Sequence, residues 1–330
     1  MTAGATDRNP TEMKRKTTLG KRLAACALTL LLAACAHTGD WASQHNPLNG
    51  KVWDVAGRRF VDPAVVLEQA ASARLVLLGE IHDNREHHRI QARILDDMLR
   101  RGRRPALVME QYDTDQQDKI GTVLHENETE GKMRELSQLM RTSWDWPMYE
   151  PIARQAVQQG LPLAAANLSR DMTRLVSRNG FSALGADAEN RLALESVWTP
   201  ERQKHLIHEV YAGHCGKIPE HVIGAIAKAQ RARDAVMADT LLGFRENGAV
   251  AIVGRGHARK DMGVPLYLAA RAPDTSVLAL GLVETDTPTD PDVYAYGPLG
   301  AQYDYLWFTP RTRRKVEPCD TIPTKPGTSS

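Results

Sequence analysis

The sequence predicts an α/β fold: a mainly parallel sheet flanked by helices, with a smaller helical cap subdomain. Five short, continuous apolar runs punctuate the chain, at Leu75–Leu78, Ala106–Met109, Leu161–Ala166, Ala249–Val253 and Val277–Leu282. Such runs mark strands buried on both faces. Helical segments separate them, so the connections are right-handed βαβ crossovers and the sheet is mainly parallel. The 330 residues are 42% hydrophobic and 25% charged, which excludes a disordered, collagen-like or disulfide-scaffold chain.

In chain order, residues 1–34 read as a secretion signal. Lys14-Arg15-Lys16 and Lys21-Arg22 form a positive start. The apolar run Leu23–Ala34 that follows is too short to span a hydrocarbon core of roughly 30 Å. It ends Leu32-Ala33-Ala34-Cys35. This resembles the lipobox of bacterial lipoproteins, in which the cysteine is acylated and becomes the first residue; a plain secretory signal cut near Ala34 is the alternative. Residues 35–47 read as a polar tether, and 48–310 as the α/β domain. After the first run, Asp83 and Glu86 have the spacing of a capping box, and Ile90, Ile94 and Met98 recur at helical intervals. Pro151 opens a helix before the third run. About 140 residues separate the second and fourth runs with little further strand signal. Two helical cap insertions are therefore expected, at approximately 112–150 and 170–245, with Val222–Leu242 the clearest helix. Residues 311–330, rich in Pro, Thr, Lys and Arg, read as a disordered tail. With Cys26 removed and Cys35 acylated, Cys215 and Cys319 remain, and the polar surroundings of Cys319 argue against a structural disulfide.

Charge narrows the function. The formal net charge is +2, but residues 1–34 carry +4 and the remainder −2. A near-neutral body gives no electrostatic footprint for nucleic acid.

In open α/β sheets ligands bind beyond the carboxyl ends of the strands, where side chains from several junctions converge. The first run leads into Gly79-Glu80-Ile81-His82-Asp83, the second into Glu110-Gln111-Tyr112, the third into Asn167-Leu168-Ser169-Arg170 and the fourth into Gly254-Arg255-Gly256-His257. All four ends carry acid–base or metal-binding groups, while the fifth ends more weakly in Glu284. No G-x-G-x-x-G phosphate fingerprint is present. His87 lies one turn before Ile90, along the buried stripe near the strand ends. On the long helix, Gln230, Arg233 and Asp234 share a stripe with Ile226, Met237 and Leu241. Polar groups in an apolar stripe need partners, so either Arg233 and Asp234 pair internally or the arginine meets an anionic ligand.

Leu78-Gly-Glu-Ile-His-Asp-Asn84 with His87-His88, then Met109-Glu110, resembles the ChaN-type haem-binding lipoproteins. So do Trp146-x-x-Tyr149, Ala166-Asn167, His214-Cys215-Gly216-x-x-Pro219, Gln230-x-x-Arg233-Asp234 and Gly256-His257. These motifs run in order from about residue 74 to 268. The resemblance implies an α/β domain with a smaller helical one, a cell-envelope lipoprotein of bacterial haem or iron uptake, and haem bound with help from homodimerisation. An outer-membrane haem receptor is a further expected partner. Ala36 after the acylated cysteine, by the same analogy, implies the outer membrane. The family belongs to a wider group with TraB, Tiki and the erythromycin esterases, whose Gly-x-x-His and glutamate elements serve as a hydrolase site.

Two chemistries follow. Haem capture needs an axial donor, an apolar slot and cations for the propionates. His82, His87, His257, Tyr112 and Tyr149 are the donors, with Tyr112, Tyr149 or His87 favoured for the iron. Arg170, Arg233 and Arg255 are the cations, and Asn167 and His214 complete the expected haem contacts. A hydrolase would instead use Glu80, His82, Glu110 and His257, either around a divalent ion such as zinc or manganese or with His82 as a metal-free base. The favoured reading is a binding protein rather than an enzyme.

Overall fold

Six parallel strands carry the fold. The computed structural model describes Met1 and residues 43–125, 128–286 and 288–322; the expected signal segment, Cys35 and most of the tether lie outside the described residues. Strands β1 (Val52–Asp54) and β2 (Arg59–Val61) form a hairpin, followed by α1 (Pro63–Ser72), β3 (Leu75–Glu80), α2 (Arg85–Arg100) and β4 (Ala106–Asp113). Three helices follow, α3 (Gln117–Leu124), α4 (Thr129–Leu139) and α5 (Trp146–Gln158), before β5 (Leu163–Asn167). The chain then forms α6 (Arg170–Asn179), α7 (Ala188–Arg191), α8 (Pro200–Gly213) and the long α9 (Glu220–Leu242). It closes with β6 (Ala249–Gly254), α10 (Val264–Arg271), β7 (Val277–Thr285), α11 (Asp292–Ala295), the short pair β8 (Tyr296–Gly297) and β9 (Gly300–Ala301), and β10 (Tyr305–Pro310).

The sheet order is β2-β1-β10-β7-β3-β6-β4-β5. From β10 to β5 every neighbouring pair is parallel, and the β1–β2 hairpin adds an antiparallel edge against β10. The five expected strands are thus β3 to β7. Strands β1, β2 and β10 are additions.

Side-chain alternation builds a core on each face. Leu75 and Leu77 pack with Ala232, Ala235 and Leu241 of α9, whereas Val76 and Leu78 pack with Ile90, Ile94 and Met98 of α2 and with Ile152 and Ala156 of α5. The stretches expected as a cap are helical. Their buried residues join these cores on opposite faces: Ile120 and Leu136 on one, Val176 and Phe181 on the other.

Several local expectations are corrected. The cap of α2 is Asn84, not Asp83: its side chain accepts from the Glu86 and His87 backbone N–H groups, leaving Asp83 for Arg314. Pro151 lies inside α5, and Pro147 occupies the first turn, where a missing N–H costs nothing. The tether already packs at Ser43, whose Oγ donates to the Thr285 carbonyl at 2.8 Å and accepts from the Arg311 N–H at 2.8 Å. The tail is placed as far as residue 322. Arg314 ion-pairs with Asp83 and Glu284, and Cys319 forms a disulfide with Cys215. Tail composition reads as solvated, but these long-range attachments outweigh it. Among the described residues, no helix is long and apolar enough to cross a membrane.

Candidate functional site

Because β3, β6, β4 and β5 are parallel neighbours, their carboxyl ends open onto one edge of the sheet. There the chain gathers Glu80, His82, Glu110, Asn167 and His257 as two carboxylate–imidazole groups. Exits from β3 and β6 are tied together by the Arg255 N–H, which donates to the Glu80 carbonyl at 2.8 Å. At Gly79 a side chain would place a Cβ 2.7 Å from that of Ala258, so glycine is what lets the two exits approach.

Glu80 is 2% exposed. It accepts from Tyr149 Oη at 2.7 Å, Gln91 Nε2 at 2.8 Å and His82 Nδ1 at 2.9 Å, and His88 Nδ1 lies 3.3 Å away. So many partners make it an orienting group rather than a free base. Its bond to Nδ1 fixes the His82 tautomer and leaves Nε2 as the open nitrogen, the device that also orients metal-ligating imidazoles. The His82 side chain is 44% exposed and stands edge-on to Trp144, with centroids 4.6 Å apart. Burial opposes a charge on His82, but the Glu80 hydrogen bond and the fields of Glu110 and Glu80 outweigh it and raise its pKa.

Behind it lies the second group. Glu110 accepts the Gly254 N–H at 2.6 Å and ion-pairs with Arg233, and His257 Nε2 is 3.4 Å away. Asp234 accepts from His257 Nδ1 at 2.6 Å. Burial opposes the charge on His257, yet Glu110 and Asp234 push its pKa up to about 9. Burial likewise opposes ionisation of Glu110, but His257 and Arg233 hold it well below the usual carboxylate range. The network is therefore an imidazolium between two carboxylates, closed by a guanidinium. Gly254 sits between the groups. A Cβ there would fall 2.9 Å from His82 Cε1 and 3.4 Å from Glu110 Oε2, so its absence gives the His82 ring its place.

His82, Glu110 and Arg233 open onto a cleft of about 440 Å³, while Glu80, Asp234 and His257 are buried behind its wall. His82, Glu110, Asn167, Arg170 and Arg233 line it, together with Arg141, Trp144 and Arg174. The last three come from the turn before α5 and from α6, where no strand-end rule points. Arg233 does not pair with Asp234 as one alternative expected: its Nε donates to Asn167 Oδ1 at 2.9 Å while the head group meets Glu110.

The favoured iron donors are not in the cleft. Tyr112, Tyr149 and His87 have no exposed surface. Tyr112 donates to the Leu136 carbonyl at 3.1 Å. Burial raises both tyrosine pKa values, so a tyrosinate is disfavoured. His87 Nδ1 accepts the Ile81 N–H at 2.9 Å and Nε2 donates to Thr309 Oγ1 at 2.9 Å, which leaves no lone pair for a metal. His214 is also elsewhere: it caps α8 beside the disulfide and donates to the Val210 carbonyl at 2.7 Å. Glu284 turns to Arg314 and Asn84. The divalent-ion alternative finds no support, since among the described residues no group of three or more His, Cys, Asp or Glu is arranged to hold a metal. For haem the fit is better: His82 Nε2 is an accessible donor, Trp144 offers an aromatic wall, and arginines rim the cleft.

An open parallel sheet whose carboxyl edge joins paired acids and imidazoles to an arginine-rimmed cleft defines a ligand-binding α/β protein. A family profile described as haem-binding uptake, Tiki superfamily, ChaN matches residues 66–268, and the chain belongs to that family. Its fold is similar to that of ChaN of Campylobacter jejuni, solved with cofacial heme binding, at a TM-score of 0.63 and 18% identity over 78% of this chain and 95% of that one. Weaker likenesses are an erythromycin esterase mutant, EreC, in its open conformation (TM-score 0.40, 12% identity, 71% of this chain and 76% of that one) and the type III effector HopBA1 (0.41, 10%, 75% and 92%). No curated protein matches.

Proposed function

We propose that the chain is a haem-binding lipoprotein of bacterial haem or iron uptake, acylated at Cys35 and held in the cell envelope at the outer membrane. Family membership supports haem as the ligand. The observation that carries the reading is His82, which presents an unshared Nε2 to the cleft while Glu80 holds Nδ1 at 2.9 Å. Bound haem would supply an iron centre open to that nitrogen and two propionates for the arginine rim. Trp144 walls the cleft, and Glu80, held by Tyr149 and Gln91, keeps the imidazole from turning. The cofacial binding described for the Campylobacter jejuni protein supports a second copy of this chain as partner, and an outer-membrane haem receptor fits the same role. Titrating hemin into purified protein is expected to give a saturable Soret change that His82→Ala abolishes. No change in the parent, or one untouched by His82→Ala, overturns the reading.

One observation favours a second reading, a metal-free hydrolase. Two carboxylate–imidazole pairs, Glu80–His82 and Asp234–His257, meet at the sheet edge, the first with its imidazole in the cleft and the second buried behind Glu110, and His82 Nε2 could take a proton from water while the imidazolium of His257 steadies Glu110. Turnover in an esterase and peptidase panel, lost in His82→Ala, would support it; no turnover removes it.

A further inference from the structure

The cleft has two chemically opposite sides. Acids and imidazoles fill one; on the other, Arg170 and Arg174 lie one turn apart on α6, the first at its N-terminal position. Like charges so spaced destabilise a helix, and the exposed Arg174–Asp171 pair at 3.1 Å offsets little of that. Arg170 acts on Asp113 only through space. The other two arginines are already committed, Arg233 to Glu110 and Asn167, Arg141 to Asp113 and the Leu168 carbonyl.

Asn167 gives the second, independent sign. It is 1% exposed, and its Oδ1 is fixed by Arg233 Nε, which orients the amide. Nδ2 lies buried just behind the cleft lining, and among the described residues it has no hydrogen-bond partner. A buried donor left unmet is destabilising. An acceptor brought by a ligand removes that cost, and the α6 N-terminus adds positive field at the same place.

We infer that Arg170, Arg174 and Asn167 Nδ2 form a receptor for a carboxylate of the molecule in the cleft, set to one side of His82. This rests on the haem reading only for the identity of that molecule, whose carboxylates would then be the propionates. Arg233, spoken for by Glu110, is not part of the receptor. A charge-assisted contact of this kind is expected to change affinity at least about tenfold.

The test compares hemin with hemin dimethyl ester, which lacks the anionic oxygens, on the full chain and on the double variant Arg170→Gln/Arg174→Gln. Both positions are exposed, so the variant is expected to fold; far-ultraviolet circular dichroism checks this. The parent should bind hemin at least about tenfold more tightly than the ester, and the variant should bind both alike. Equal binding of the two by the parent, or a preference that survives in the variant, overturns the inference while leaving the haem reading standing. If neither porphyrin binds, the haem reading fails and citrate becomes the probe. Shifts of the arginine Nε–Hε signals, lost in the variant, would still support the receptor, and their absence would refute it.

Discussion

His87 has both ring nitrogens in fixed neutral roles and no exposed surface. Burial, with the nearby His88, lowers its pKa to about 3. His257 is the opposite case, held protonated to about 9 against burial by Glu110 and Asp234. Below the free-histidine value near 6.5 the unfolded chain takes up a proton that folded His87 refuses, so stability falls as pH drops. Above it, folded His257 keeps a proton that the unfolded chain releases, so stability falls as pH rises toward 9. Each limb is worth up to about 1.4 kcal/mol per pH unit. Urea denaturation should therefore show a maximum near neutrality, and His87→Gln should flatten the limb between pH 5 and 6.5; an unchanged limb would contradict this. The strand-end residues were readable in the sequence because parallel strands must bring Glu80, Glu110, Asn167 and the β6 exit to one edge. His87 was misplaced by the same reasoning: its position on the buried stripe of α2 puts it in the core, not at the ligand. Arg141, Trp144 and Arg174 carry no periodic or strand-end signal, and only the tertiary fold brings them to the cleft.

Among the elements, the five buried strands and α9 follow from apolar pattern and caps. β10 has β-prone aromatic residues, Tyr305, Trp307 and Phe308, but only the four-residue α11 and a short strand pair link it to β7, so no helical pattern in the sequence names β7 and β1 as its neighbours. The tail after it was misjudged for a related reason. Its composition is that of solvated chain, yet Arg314, its side chain 9% exposed, bridges Asp83 and Glu284, and Cys319 reaches across 104 residues to Cys215 at the turn between α8 and α9. That turn leads into the helix carrying Gln230, Arg233 and Asp234. A cross-link closing so long a loop typically contributes about 2–4 kcal/mol, chiefly by restricting the unfolded chain. Cys215→Ser is expected to lower the unfolding free energy by about that amount with hemin affinity little changed. Equal stability of parent and variant in urea would show that the tail is fixed by its ion pairs alone.

For the molecule as a whole, the carboxyl edge of the sheet holds the cleft, the Arg314 bridge and the docked Ser43. Ser43 is buried against Thr285 and Arg311, two strand ends of that same edge. Only seven residues separate it from Cys35, and eight fully extended Cα-to-Cα steps reach about 27 Å. With Cys35 acylated as proposed, a twenty-residue Gly/Ser insertion after His37 is expected to slow hemin pick-up from vesicles, while affinity in solution stays unchanged. Equal uptake by the two forms would count against the arrangement. If Cys35 is acylated as proposed, so short a leash would do more than prevent escape: it would moor the chain by the edge that carries its own mouth, so that cargo leaving a bilayer would meet the opening before it met water.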